Sequence, residues 1–409
     1  MPTTTPSIKV EAVRKLGGQT VLVGDTFDEA YVEARRLEAQ HGLTFVHPFD
    51  DPDVIAGQGT IGLEILRQHA SDIDAIFVPV GGGGLVAGLG AYVKFVRPEI
   101  KVIGVEPDDA PTLHRALAEK TRVTLDQVGI FADGVAVRQI GAETFRLAQQ
   151  VVDEVILVST DEICAAIKDI FDDTRSIAEP SGALAVAGLK KYAARGTSTG
   201  SLVALNSGAN MNFDRLRHVA ERADLGERKE ALLAATIPER PGSFKAFASA
   251  IGRRNITEFN YRYSSKSEAR VFLGVELTEG LEEQRRLIAS LRSAGYQILD
   301  LSDNEMAKLH VRYMVGGHAP DVANEILYRF EFPERRGALQ RFLDGLALGW
   351  NISLFHYRNH GSDYGRVLVG MQVPSEERAA FEAYIAELGY VFAEESENPA
   401  YAMFLGARP

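Results

Sequence analysis

The chain has 409 residues, 45% of them apolar and 24% charged, which is the composition of an ordinary folded chain with material for two or three cored domains. Its formal charge of −12 repels nucleic acid and anionic lipid, so neither a nucleic acid nor a membrane is expected as a partner. The one cysteine, Cys164, cannot close an internal disulfide, no apolar run is long enough to span a bilayer, and Met1-Pro2-Thr3-Thr4-Thr5-Pro6 has neither the basic flank nor the apolar core of a signal peptide, so the expected compartment is the cytoplasm.

In chain order, Thr20-Val21-Leu22-Val23 reads as a strand. Thr26-Phe27-Asp28-Glu29 follows as a capping box opening a helix through Phe27, Ala30, Tyr31, Ala34 and Leu37, which Gly42 stops. Apolar runs at Ile76 to Val80, Val102 to Val105, Val155 to Val158 and Leu202 to Leu205 read as further strands, with helical patterns between them. Strands this apolar, alternating with helices, predict an α/β domain: a parallel sheet with helices on both faces. Cys164 lies in the helical run Glu162-Ile163-Cys164-Ala165-Ala166-Ile167 and reads as a core residue rather than a nucleophile.

The pattern changes near residue 225, where Ala223-Asp224-Leu225-Gly226-Glu227-Arg228-Lys229 reads as a polar boundary. Beyond it the chain repeats. Pro238-Glu239-Arg240-Pro241-Gly242-Ser243-Phe244 returns as Pro333-Glu334-Arg335-Arg336-Gly337-Ala338-Leu339, an offset of 95 (333 − 238). Asn255-Ile256-Thr257-Glu258-Phe259-Asn260-Tyr261-Arg262 returns as Asn351-Ile352-Ser353-Leu354-Phe355-His356-Tyr357-Arg358, an offset of 96 (351 − 255), and Gly295-Tyr296 returns as Gly389-Tyr390. The spacing predicts two copies of one α+β unit, each strand, helix, strand, strand, helix, strand, joined by a linker with Gly316, Gly317 and Pro320. The expected domains are 1–225, 226–318 and 319–409.

The strongest local signal is Gly81-Gly82-Gly83-Gly84-Leu85, directly after a strand and opening a helix through Leu89, Tyr92, Val93 and Val96. Glycines let backbone amides approach an anion and the helix start adds a favourable dipole, so a phosphate is the natural ligand; a tight turn with no ligand is the plainer reading. Gly82, Gly84 and Ala87 also satisfy the dinucleotide pattern G-x-G-x-x-A, with Glu106 at the end of the next strand where a ribose-binding acid belongs, so an NAD-dependent oxidoreductase stays open on these residues. Ser207, in Asn206-Ser207-Gly208-Ala209-Asn210, faces a ligand crevice or caps a helix. Ser181, in Glu179-Pro180-Ser181-Gly182-Ala183, reads as the cap of a helix from Leu184 to Tyr192, and Glu179 as near a ligand or solvated. Ala56-Gly57-Gln58-Gly59-Thr60 precedes a helix and shapes the site wall. The nine histidines show no metal-ligand spacing, and His356 and His360 read as surface residues, so no metal is expected.

Taken together, these segments resemble the biosynthetic threonine dehydratases over essentially the whole chain. The matching runs are Ile8-Lys9-Val10-Glu11-Ala12-Val13-Arg14, Val54-Ile55-Ala56-Gly57-Gln58-Gly59-Thr60, the glycine run with Val78-Pro79-Val80 before it, and Phe131-Ala132-Asp133-Gly134-Val135-Ala136-Val137. To these add Glu179 to Ala183, Ser207 to Asn210, and Lys308-Leu309-His310-Val311-Arg312-Tyr313-Met314-Val315-Gly316-Gly317. The last run and the duplicated end are the most specific.

The resemblance implies a fold-type II pyridoxal-phosphate enzyme, related in fold to the tryptophan synthase β subunit, followed by two ACT-like regulatory units. It implies that Gly81, Gly82, Gly83, Gly84 and Leu85 bind the phosphate of pyridoxal 5'-phosphate and that Ser207 hydrogen-bonds its pyridine nitrogen. It implies deamination of L-threonine to 2-oxobutanoate and ammonia, the first step of isoleucine biosynthesis, with isoleucine as inhibitor, valine as opposing effector and a homotetramer as the assembly. Candidate effector contacts are Gly337, Ala338, Leu339, Tyr261 and Tyr357; turn and core packing is their plainer reading. The family's Ser-Phe-Lys-x-Arg-Gly run, with its Schiff-base lysine, and its Ser-x-Gly-Asn-His-Ala-Gln-Gly loop do not occur here, and Lys9, Lys15, Lys94, Lys101 and Lys120 stand in other contexts. On this reading the family's first segment is missing, the catalytic lysine is unknown and no normal turnover is expected of the chain alone. The alternative is a non-catalytic isoleucine- and valine-binding protein.

Overall fold

A computed structural model describes residues 1–409 except 4, 6, 25, 26, 70, 71, 130, 199, 212, 214, 253, 264–266, 315–318, 320, 321, 334–337, 347–349, 359–363, 400, 402–404 and 406–409. The chain divides into two compact units, Met1–Gly226 and Glu227–Pro409.

In the first unit, α1 (Ser7–Lys15), α2 (Phe27–His41) and α3 (Pro52–Gln68) precede β1 (Ile73–Pro79). Then come α4 (Gly84–Val96), β2 (Lys101–Pro107), α5 (Thr112–Glu119), α6 (Ala142–Val151), β3 (Glu154–Val158), α7 (Thr160–Thr174), α8 (Pro180–Ala193), β4 (Ser201–Ala204) and α9 (Arg215–Gly226). The four strands form one sheet in the order β3-β2-β1-β4, with every pairing parallel. Alternation along β1 divides the core. Ala75 and Phe77 pack with Ile163, Ile167, Ala183 and Leu184 of α7 and α8. Ile76 and Val78 pack with Val86, Leu89 and Val93 of α4 and with Leu113. A sheet buried on both faces is why its strands are apolar throughout, each large side chain contributing about 1.5–3 kcal/mol. The chain steps from β1 to β2 to β3 on one side, then returns to lay β4 on the other side of β1. The carboxyl ends of β1 and β4 therefore flank the topological switch point, where open parallel sheets bind ligands.

Three local expectations are corrected. Thr20 to Val23 is not a strand: Val21, Leu22 and Val23 are exposed, and the stretch is held by scattered bonds, Val23 N to Met1 O (3.0 Å), the Met1 amino group to Val21 O (2.8 Å) and Arg14 Nε to Thr20 Oγ1 (2.9 Å). Apolar β-branched residues make a strand only with a partner to pair with. The Ala56 to Thr60 run lies inside α3 rather than before it, and Gly59 serves helix packing: a Cβ there would stand 3.1 Å from Gly88 O of α4. Ala223 to Gly226 is the last turn of α9, with Ala223 and Leu225 buried, not a polar linker. Thr26 of the expected capping box lies outside the described residues.

The second unit is a tandem repeat. The first copy is β5 (Glu230–Pro238), α10 (Ser243–Ile251), β6 (Ile256–Arg262), β7 (Glu268–Glu276), α11 (Gly280–Ser293) and β8 (Gln297–Asp300). After the short α12 (Glu305–Leu309), the second copy is β9 (Glu325–Pro333), α13 (Ala338–Asp344), β10 (Asn351–Arg358), β11 (Tyr364–Gln372), α14 (Arg378–Leu388) and β12 (Val391–Glu394). Both follow the order the repeat predicts. They share one eight-stranded sheet, β12-β9-β11-β10-β6-β7-β5-β8, in which β6 and β10 pair antiparallel across the seam. One core runs beneath the helices of both copies, including Phe247, Phe259, Leu291, Phe330, Phe342, Phe355 and Phe381. No helix among the described residues is long and apolar enough to cross a membrane.

Candidate functional site

β1 ends at Pro79, and Val80 N still bonds to Val105 O of β2 (2.9 Å). The chain then turns through Gly81, Gly82 and Gly83 into α4. Gly83 is the N-cap residue, at φ +91°, a left-handed conformation that glycine adopts without penalty. No side chain caps α4 and no acidic residue stands in its first turn, so the helix start keeps unsatisfied amides and its positive dipole end. That is the electrostatics of an anion site.

The loop has no room for side chains. A Cβ on Gly81 would stand 2.9 Å from Val135 Cα, one on Gly82 would collide with the Phe49 ring, one on Gly83 would meet Ile140 Cδ1 and Thr144 at 3.0 Å, and one on Gly84 would meet Phe49 O at 3.0 Å. Thr144 Oγ1 donates to Gly82 O (2.7 Å), as does Gly141 N (3.2 Å). The start of α6 therefore braces the loop from one side and Phe49 lies against it from another. Phe49 is held by His47, whose Nδ1 accepts from Phe49 N (3.2 Å) and Asp50 N (2.8 Å). Two accepted hydrogen bonds require the neutral ring at Nδ1; burial, outweighing the opposing pull of Asp50 and Asp51, holds the His47 pKa below its ordinary value. Asp50 accepts from Ala142 N (2.8 Å), Glu143 N (2.8 Å) and Thr144 N (3.1 Å), and so caps α6 from a distant part of the chain.

β4 ends beside β1, with Leu205 N bonded to Phe77 O (3.2 Å), and Ser207 follows. No helix begins at Ser207, so it is not an N-cap; its side chain is exposed. The start of α8 fixes its loop: Ser207 N bonds Gly182 O (3.4 Å) and Glu179 N bonds Gly208 O (3.0 Å). Ser181 does not cap α8. Glu179 occupies the N-cap position without a side-chain cap bond, while Ser181 sits inside the first turn, 5% exposed, with its Oγ unpartnered. A Cβ on Gly134 would stand 2.7 Å from that Oγ. Close backbone approaches at Gly81 to Val135, Gly134 to Ser181 and Gly182 to Gly208 thus tie the glycine loop to the Ser207 loop through the turn Asp133–Val135. Lys9 (3.1 Å) and Arg215 (3.0 Å) both pair with Asp133 and hold that turn. Phe49, Asp50 and this glycine chain were not found from the sequence. The run Asp50-Asp51-Pro52 signals only the start of α3, which Asp51 caps through Asp53 N and Val54 N.

Glu106 is no ribose ligand. It is fully buried; Oε1 accepts from Thr112 Oγ1 (2.9 Å) and Leu113 N (2.7 Å), and Oε2 from His114 N (2.8 Å), so both oxygens are committed to the start of α5. Burial pushes its pKa up to about 7 against the pull of those hydrogen bonds. With the acid engaged, the dinucleotide reading loses its second half.

In the second unit, Tyr261 and Tyr357 take equivalent places at the seam, Tyr261 opposite Phe355 and Tyr357 opposite Phe259. Both are buried. Tyr261 donates its hydroxyl to Glu239 Oε2 (2.6 Å); burial first, and then this bond, raise its pKa. Glu239 Oε1 accepts from Asn351 Nδ2 of the other copy (3.2 Å). Ala338 and Leu339 open α13, with Ala338 O accepting from the Tyr390 hydroxyl (3.2 Å); Gly337 lies outside the described residues, as do His360, Gly316, Gly317 and Pro320.

A doubly covered parallel sheet with an uncapped glycine turn at its switch point offers an anion site, and the chain belongs to the pyridoxal-phosphate dependent enzymes, whose family model matches residues 1–208. The C-terminal regulatory domain of threonine dehydratase matches twice, over 221–311 and 316–405, one match for each copy of the repeat. The chain is 56% identical over 409 residues to a biosynthetic L-threonine dehydratase of Burkholderia multivorans and 54% identical over 420 residues to the mitochondrial threonine dehydratase of Saccharomyces cerevisiae, spanning 80% and 73% of their lengths. Among solved structures, the processed form of threonine deaminase isoform 2 from Solanum lycopersicum aligns at a TM-score of 0.53 and 51% identity, over 55% of this chain and 62% of that one. The chain belongs to the biosynthetic threonine dehydratases. The Burkholderia alignment takes in 99% of this chain and 80% of that relative's length.

Proposed function

We propose that the chain is a pyridoxal-phosphate-dependent threonine dehydratase that deaminates L-threonine to 2-oxobutanoate and ammonia, the first step toward isoleucine, and that its duplicated end senses amino acids. The observation that carries this reading is the uncapped, left-handed glycine turn at the switch point, in a chain whose other end matches the regulatory domain of the same enzyme. The residues present fit the cofactor. Gly81, Gly82, Gly83, Gly84 and Leu85 offer backbone amides and a helix dipole to a phosphate, in a cradle that a Cβ at any of the four glycines would crowd. Ser207, exposed at the end of the adjacent strand, offers a neutral hydroxyl to the pyridine nitrogen. When bound, the cofactor supplies the electron sink that eases loss of the substrate's α-proton and β-hydroxyl. The chain's part is to seat the phosphate, present the neutral hydroxyl of Ser207 and hold the two loops in register through the turn Asp133–Val135. No lysine of the chain is assigned the catalytic role.

We place the functional domains at 1–225, 226–318 and 319–409, with isoleucine as inhibitor and valine as opposing effector at the seam of the two copies, in a cytoplasmic homotetramer. The seam residues Tyr261 and Tyr357, Ala338 and Leu339 at the start of α13, and Gly337, which precedes them in the sequence, are the proposed effector contacts. Their support is the exact repetition of Tyr261 and Tyr357 about the seam.

The test is the absorption spectrum of the purified full chain titrated with pyridoxal phosphate, alongside calorimetric titration with isoleucine. Saturable cofactor binding and isoleucine binding are expected. A chain that retains no cofactor overturns the catalytic reading, and a chain that binds neither overturns both. Release of oxobutanoate from L-threonine identifies a chain whose own lysine serves.

A further inference from the structure

Glu179 stands at an N-cap position yet does not cap its helix. Its side chain runs instead over Gly208, the residue after Ser207: a Cβ on Gly208 would collide with Glu179 Oε1 and lie 3.0 Å from Cδ. Gly208 is the space that lets the carboxyl in. Oε2 is buried and has no hydrogen-bond partner among the described residues. An unpartnered buried carboxyl oxygen is costly, and native structures retain one where it has work to do. The charged groups around it are Lys9 of α1, Asp133 of the turn and Arg215 of α9; Asp133 is already paired with both cations. Burial raises the Glu179 pKa, Lys9 and Arg215 pull it down, and Asp133 raises it further.

We propose that Glu179 is the positioning residue behind Ser207: its carboxyl, admitted by Gly208, sets the charge facing the atom that Ser207 holds and so governs whether that atom carries a proton. The inference rests on the cofactor reading above, in which that atom is the pyridine nitrogen. Ser207 is a neutral partner and cannot by itself fix the nitrogen's protonation. A carboxyl packed against the next residue can, because a neutral carboxyl favours the free base and an ionised one favours the pyridinium. Glu179 touches neither substrate nor reacting atoms in this role; it acts through Ser207.

The test uses pyridoxamine 5'-phosphate, which binds without needing a lysine, on the full chain. Its affinity and the pH dependence of its bound absorption are measured for wild type, Glu179→Gln, Glu179→Asp and Gly208→Ala. Glu179→Gln is expected to keep affinity within about threefold while the bound nitrogen loses its proton about one pH unit lower, a tenfold change in its protonation equilibrium. Glu179→Asp is expected to recover part of that shift. Gly208→Ala, whose Cβ displaces the carboxyl without removing it, is expected to reproduce the shift. Superimposable titrations for wild type and Glu179→Gln at equal affinity overturn the role of Glu179 and leave the cofactor reading standing. Failure of the wild type to bind the probe overturns both.

Discussion

Asp50 should matter far more to the first unit than a partly exposed aspartate in a loop suggests. Its two carboxylate oxygens accept three backbone donors, Ala142 N at 2.8 Å, Glu143 N at 2.8 Å and Thr144 N at 3.1 Å, and so satisfy the open end of α6. Loss of an N-cap costs about 1–2 kcal/mol, and loss of a negative charge at a helix start adds about 0.3–1 kcal/mol. Asp50→Ala should therefore destabilise the unit by about 2–3 kcal/mol, and Asp50→Asn, which keeps one accepting oxygen, by about half as much. For a unit of this size such a loss lowers the melting temperature by about 5–10 °C. The cofactor should also be held less well, because Thr144 carries the brace to Gly82 O. Urea unfolding followed by circular dichroism measures the first effect as a lower midpoint at unchanged slope. If Asp50→Ala unfolds within about 0.5 kcal/mol of wild type, the distant cap is not holding α6 and the reasoning fails.

Two other predictions concern the glycine turn and Glu106. Gly83→Ala forces an L residue to φ +91° with its Cβ 3.0 Å from Ile140 and Thr144, so it should cost about 1–2 kcal/mol and abolish retention of pyridoxal phosphate after gel filtration; retention equal to wild type would remove Gly83 from the cradle. The buried Glu106 has its pKa raised from 4.5 to about 7, so its contribution to stability is full below pH 4.5 and is lost as pH rises through about 7. The stability difference between wild type and Glu106→Ala should accordingly shrink on the order of 3 kcal/mol across that window, measured by urea unfolding at several pH values; a difference that grows with pH would contradict it.

The strands of the first unit were legible because burial on both faces leaves a continuous apolar run with little else to mimic it: Ile76 to Val80 was read where β1 runs from Ile73 to Pro79. Thr20 to Val23 had the same composition and failed, since a run of four residues does not record whether a neighbour exists. The glycine turn was legible as a backbone demand, and the repeat as a regular offset. The role of Glu106 was misread because a ribose-binding acid and a carboxylate capping the following helix occupy the same place after a strand; only the amides of Leu113 and His114 separate the two. Asp50, Phe49 and the approaches at Gly134, Gly182 and Gly208 were illegible for a different reason. Their partners lie far along the chain, and no local pattern encodes a contact with a residue that the fold alone brings near.

The duplicated end shows how much further a repeat reaches than its matching letters. Leu232 N donates to Ser302 Oγ at 3.0 Å in the first copy, and Leu327 N donates to Ser396 Oγ at 3.0 Å in the second. Thr257 donates to Glu230, and Ser353 donates to Glu325, so each copy holds a glutamate with a buried side chain at the first residue of its first strand by a hydroxyl from its second. The cations differ. Arg312, which follows the first copy, lies 3.6 Å from Glu230 and 2.8 Å from Glu258, whereas Glu325 is met by Arg262, which belongs to the first copy. A buried charge must keep its partner, because removing one leaves the other uncompensated at a cost of about 3–5 kcal/mol. The second copy therefore depends on a residue of the first. Together with the pairing of β6 to β10, which leaves neither strand as an open edge, this joins the two copies in one folding body. A disturbance at this seam therefore meets residues on which both halves depend.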